Sequence, residues 1–224
     1  MMDSLTSRLE KFRQCMLERM TPSAIDAMMR SEALRATLLR HTPPLGVGDH
    51  APDFSLPDQS GKLISLQASL THGPVVLLFY RGGWCPFCTL TLRAMQSIKR
   101  ELSRHNVSLL SVSPQIPAQS RLTAERNYLD FAVLSDDGNT VARRYGLAWQ
   151  VDDEMRSVMQ SFGHDLVRLN GSTGWELPFC ATYVINQNAT ITAARITPGI
   201  TDRMDPAEII NAVRELAAVT ADSV

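Results

Sequence analysis

The chain has 224 residues, 44% hydrophobic and 20% charged, with a formal net charge of −1. This fits one ordinary globular domain with an extension, long enough to bury a core without disulfide staples. Near-neutral charge with scattered Lys and Arg leaves no footprint for nucleic acid or an anionic membrane as partner.

In chain order, Leu5, Leu9, Phe12, Met16 and Met20 recur at helical spacing. Thr21-Pro22 reads as a cap followed by proline in the first turn of a second helix, with Ile25, Met28 and Met29 on its apolar stripe. A third short helix is predicted over Glu32–Leu39. The Pro/Gly-rich stretch His41–Pro52 reads as a linker. The expected division is therefore an N-terminal helical arm, residues 1–42, and a main domain, residues 43–224. The arm's methionines are expected to pack on its own core, with a partner subunit as the other reading. The N-terminus lacks the apolar core of a signal peptide, and no stretch is as long as a membrane span, so a cytoplasmic location is expected.

The main domain alternates. "DFSLPD" and "KLISL" read as short strands around a turn. "VVLLFY", Val75–Tyr80, is continuously apolar, as central parallel strands are. Leu92, Met95, Ile98 and Leu102 mark a helix face, and "VSLLSV" a second buried strand. Ala118–Tyr128 reads as a helix, "FAVLSD" as a strand, and Thr140–Tyr145 as a short helix. Asp152–Glu176 reads as an inserted helix and loop. "TYVIN" and "ATITAA" form a predicted hairpin. Asp205, Pro206 and Glu208 give the last helix a capping box. Alternating strands and helices that end in a hairpin and a helix predict a three-layer α/β sandwich with a mixed sheet.

The chemistry concentrates in "RGGWCPFC", Arg81–Cys88, where the central strand ends. Pro86 favours the first helical position, which makes Cys85 the N-cap and puts Cys88 in the first turn. Free backbone N–H groups and the helix dipole there stabilise a thiolate. Arg81 adds positive charge, Gly82 and Gly83 allow a sharp exit from the strand, and Trp84 is expected to shield the thiols. In a reducing compartment such a pair is catalytic or metal-binding rather than structural. Two other readings are inert core cysteines and half a zinc site completed by Cys180 and a histidine; no second close pair supports zinc. Cys15 is expected to be structural. The five histidines fall in predicted loops and helix ends, with surface or capping roles. The pairs Asp136-Asp137 and Asp152-Asp153 are read as turn and helix-start residues, so no metal or other cofactor is assigned.

With these residues placed, the sequence resembles the thioredoxin-fold superfamily, and within it the alkyl hydroperoxide reductase and thiol-specific antioxidant family of peroxiredoxin-like proteins. The resemblance runs over roughly Gly46–Ala218. "GDHAPDFSLPDQSGKLISL", "VVLLFYRGGWCPFCTLTLRAM", "FAVLSDDGNTVARRYGL" and "ATYVINQNATI" carry it. It implies a thioredoxin-like sandwich, a Cys85/Cys88 redox-active disulfide and a homodimer. The family's Thr-x-x-Cys element puts its attacking cysteine at Cys88, with Cys85 where the threonine stands. The family's peroxide-polarising arginine and the thioredoxin cis-proline both fall at the position of Cys180. Arg81 or Arg195 is a candidate replacement for the arginine.

Three functions remain open. The leading one is a thiol peroxidase for hydrogen peroxide or organic hydroperoxides. Cys88, or Cys85 if the helix cap dominates, becomes a sulfenic acid, the other cysteine closes the disulfide, and a thioredoxin-like or low-molecular-weight thiol reduces it. The second is a thiol–disulfide oxidoreductase that attacks protein disulfides with Cys85. The third is a non-enzymatic redox sensor or interaction module. Cys180 is expected to face the pair across the groove, or else to be a buried bystander.

Overall fold

The computed structural model describes residues 4–171 and 174–221. Val75–Phe79 (β3) forms the middle of a five-stranded sheet of order β5-β4-β3-β8-β9, with β4 at Ser108–Ser113, β5 at Ala132–Ser135, β8 at Cys180–Ile185 and β9 at Ile191–Thr197. Strands β3, β4 and β5 run parallel; β8 and β9 run antiparallel to their neighbours. The sheet is mixed, as expected. Every residue of β3 is buried, which is why its sequence shows no alternation.

Helices connect the parallel strands: α4 (Pro86–Arg104) joins β3 to β4, and α5 (Pro117–Asn127) joins β4 to β5. The period-2 alternation of side chains splits the core between the two sheet faces. Val76, Leu78, Tyr80, Cys180 and Val184 face α4 and the closing helix α9 (Pro206–Ala221). Val75, Leu77, Phe79, Ala181 and Tyr183 face the opposite layer. There the short pair β1 (Ser55–Pro57) and β2 (Leu63–Ser65), the turn α3 (Leu66–Leu70) and the helix α6 (Thr140–Arg144) complete the third layer of the sandwich.

The arm is two helices, α1 (Leu5–Leu17) and α2 (Pro22–His41). Thr21 caps α2 and Pro22 opens it, as predicted. The expected break before Glu32 is absent; nothing between Ser23 and His41 is Gly or Pro, and the helix runs through. Leu5, Leu9 and Met28 are buried in the same cluster as α4 and α9. The Leu5 N–H donates to Asp205 Oδ2 (2.8 Å), tying the start of α1 to the start of α9.

The segment after Asp152 holds α7 (Asp153–Ser161) and α8 (Leu166–Asn170), and β7 (Glu176–Pro178) pairs antiparallel with β6 (Ala148–Gln150). This two-stranded ribbon was not anticipated. Three-residue strands are too short to show a period.

Candidate active site

The site forms where β3 ends and α4 begins. Gly82 has φ +148°, and a Cβ there would fall 2.2 Å from Trp84 Nε1. A side chain at Gly83 would collide with Thr123. Both glycines therefore let the loop lie flat against its neighbours. Gln115, itself buried, accepts hydrogen bonds from the Gly83 N–H (2.8 Å) and the Thr123 hydroxyl (3.1 Å), which fixes the loop. Cys85 is the N-cap of α4, Pro86 its first residue, and Cys88 sits in the first turn.

Cys180 comes from the start of β8, on the face that points at α4. It lines the same small cavity as Cys88, and Cys85 and Cys180 lie close enough to Cys88 to act on its ionisation. All four cysteines, these three included, are free thiols. The Cys88 S–H supports a negative charge on either neighbour, and its own pKa is pushed well above the usual range by those two neighbours and by burial. Cys85 is pulled down to about 6, chiefly by the Cys88 hydrogen bond, against burial, and then by Arg81. Cys180 is also held well below the ordinary thiol range, first by Cys88 and, against burial, by Arg203 and Arg81.

Of the two candidate guanidiniums, Arg81 is the one that lies beside the sulfurs. Burial disfavours its charge, but the three sulfurs outweigh that, Cys180 most, and raise its pKa. Arg195, the other candidate, is turned away, its Nη1 on Asp202 (3.2 Å) and its Nη2 on Glu208 (2.8 Å). Two arginines that sequence reasoning missed lie close by. Arg203 is buried; Nη1 donates to the Gly199 and Asp202 carbonyls, and Nη2 has no protein partner. Arg35, on α2, donates to the Pro198 carbonyl (2.8 Å) and Ser31 Oγ (2.9 Å) and lies over the Trp149 ring. Burial, with Arg81 as a second cause, lowers its pKa to about 10. An arginine on the apolar side of a helix was the available signal for Arg35; nothing marked Arg203.

Two spaces flank the sulfurs. An open cavity of about 490 Å³ is bounded by Phe12, Met16, Met20 and Met28 of the arm, Trp84, Trp149, and Met155, Val158 and Met159 of α7, with Arg35, Arg81 and Cys85 also on its wall. The arm's methionines thus line a cavity as well as packing inward. His164, expected at the surface, is half-buried in this wall against Trp84, ring centroids 5.1 Å apart, and burial lowers its pKa. Behind the sulfurs lies a chamber of about 10 Å³, lined by Tyr80, Thr91, Cys88, Cys180 and Arg203. Cys85, Cys88 and Cys180 are 5%, 1% and 4% exposed, so exposure alone does not separate them. The cavities do: Cys85 borders the larger one, and Cys88 and Cys180 the smaller one.

The aspartate pairs serve local structure. Asp136 accepts from the Val141 and Ala142 N–H groups, and Asp152 caps α7 and accepts from Ser31 Oγ (2.6 Å). Cys15 is exposed on α1.

The model of the AhpC/TSA family matches residues 47–194. The chain belongs to the AhpC/TSA family. Peroxiredoxin Bcp of Escherichia coli (strain K12) is 34% identical over 104 residues, 46% of this chain and 66% of that protein. A putative peroxiredoxin of Mycobacterium tuberculosis is also 34% identical, over 45% of this chain and 65% of the relative. The chain thus spans a little under two thirds of the length of these relatives. The crystal structure of peroxidoxin BcpB from Mycobacterium tuberculosis superposes with a TM-score of 0.60 at 26% identity, over 78% of this chain and 98% of that one. The AhpC/TSA match ends before α9 and begins after the arm, so Phe12, Met16, Met20, Met28 and Arg35 lie outside it. Among the described residues, no helix is long and apolar enough to cross a membrane.

Proposed function

We propose that the protein is a thiol peroxidase in which Cys85 attacks the peroxide and Cys88 resolves the product. The observation that carries this is the position of Cys85. It is the one sulfur of the three on the wall of the open cavity, its pKa is lowered, and Arg81 stands beside it. The thiolate attacks one oxygen of the hydroperoxide, the O–O bond breaks, and the leaving alkoxide takes a proton. Arg81 and the first-turn N–H groups of α4 stabilise that negative charge. Cys88, once deprotonated, attacks the Cys85 sulfenic acid and releases water, giving the Cys85–Cys88 disulfide. This assigns attack to Cys85 although the family register sets Cys88 in the attacking place.

The apolar walls favour an organic hydroperoxide over hydrogen peroxide. A 5%-exposed sulfur on the wall of a cavity flanked by the arm and α7 suits a low-molecular-weight thiol as reductant better than a bulky protein. The same burial argues against protein disulfides as substrate. Stopped-flow oxidation by cumene hydroperoxide and by hydrogen peroxide, beside an insulin-reduction assay, tests the reading. Fast peroxide consumption lost in Cys85→Ser supports it. Slow peroxide reaction with ready insulin reduction selects the oxidoreductase instead.

A further inference from the structure

Peroxide reduction as proposed uses two sulfurs, yet three are buried in one cluster, with Cys88 and Cys180 lining one small cavity. Cys180 is a poor candidate for the attacking thiol, because it borders only a chamber with room for about one water. It is also poorly explained as core filler. A buried thiol kept neutral needs no cations, and Cys180 has two guanidiniums near it, one with a buried Nη2 that no protein atom accepts from. A thiolate in that place, sharing its small cavity with Cys88, is a nucleophile placed beside a sulfur rather than beside a substrate.

We propose that Cys180 is a third redox-active thiol, which attacks Cys88 of the Cys85–Cys88 disulfide and moves the bond inward to Cys88–Cys180. The step rests on the peroxidase reading for its oxidant and needs no other reagent. The Cys180 thiolate forms a bond to the Cys88 sulfur, the Cys85–Cys88 bond breaks, and Cys85 leaves as a thiolate. No proton or electron leaves the protein.

The direction follows from hydration. When Cys88 enters a disulfide it loses its S–H, a support that Cys85 and Cys180 lose alike, and Cys180 has beside it room for only about one water. The exchange transfers the charge to Cys85, which borders the open cavity, the start of α4 and Arg81. The reacting sulfur is thereby restored before any reductant arrives, and a second peroxide can be met.

The sequence makes the pairing readable. Trypsin releases Cys85 and Cys88 together in Gly82–Arg93 and Cys180 in Leu169–Arg195. Reduced protein is treated with one equivalent of hydrogen peroxide, and a second sample with diamide. Both are quenched with N-ethylmaleimide in denaturant and mapped by mass spectrometry. The expected major species is the two peptides cross-linked, with maleimide on Cys85. An internally bridged Gly82–Arg93 as the major species, with maleimide on Cys180, overturns the proposal. If peroxide is not consumed but diamide gives the cross-link, the peroxidase reading fails and the exchange stands. With two equivalents of peroxide, dimedone is expected to label Cys85 in the wild type, and at least fivefold less in Cys180→Ser. Equal labelling of both proteins also counts against it.

Discussion

At the scale of single residues, a thiol donor governs the reactivity of Cys85 more than the helix it caps. Hydrogen bonds to charged groups contribute about 1.5–3 kcal/mol, equivalent to about 1–2 pH units. Alkylation of Cys85 by iodoacetamide should therefore rise with pH through a midpoint near 6 and fall tenfold per unit below it, since the thiolate is the form present above the pKa. In Cys88→Ala the profile should move to higher pH by about 1–2 units. An unshifted profile, read from peptide mass spectra, would assign the effect to Arg81 and the helix start instead. Much of this residue's setting was legible in advance. Proline at the first helical position gave the cap, and a nearby arginine gave the cation. The cluster around Cys180 was not, because Arg203 and Cys88 come to Cys180 only after β8 and the loop before α9 fold back over the start of α4. Local spacing carries no trace of such a meeting.

At the scale of elements, the strands of the central sheet and the helices between them were readable because each is long enough to show a period or a buried run. Errors arose in α2, divided in the sequence reading despite lacking a breaker, and in the β6–β7 ribbon, too short for a pattern. The capping box of α9 was read correctly: the Asp205 N–H donates to Glu208 Oε2 (2.7 Å), and Asp205 Oδ1 accepts from the Ala207 N–H (3.1 Å). Sequence reasoning did not show that the same carboxylate also receives the first N–H of α1. One side chain thus terminates two helices. Losing an N-cap costs about 0.5–2 kcal/mol, and Asp205→Ala should lie at the upper end, with Asp205→Asn milder. Thermal denaturation would show this as a fall of about 2–4 °C per kcal/mol for a chain of this size. A shift within error would mean that water replaces both contacts.

At the scale of the whole molecule, the arm is packed into the layer that contains the thiols. Leu9 is completely buried in the cluster that includes Leu92, Met95 and Ile209. Truncating such a side chain costs about 2–5 kcal/mol. If arm and domain unfold together, Leu9→Ala should lower the unfolding free energy read from a single urea transition by that amount. An unchanged main transition, preceded by a small early one, would show the arm to be a separate unit, as the division at residue 42 supposes. Exposed ion pairs such as Arg214–Glu101 (2.8 Å) contribute little by comparison. Added salt should leave the transition almost in place.

The tightness of the inner chamber decides where chemical injury can accumulate. Stepwise oxidation of a sulfur to sulfinic and sulfonic acid adds oxygens that need volume and must each be delivered by a fresh oxidant molecule. About 10 Å³ beside Cys88 and Cys180 supplies little room for them. Within the three-sulfur cluster, over-oxidation is thereby directed to Cys85, the sulfur that borders the larger cavity.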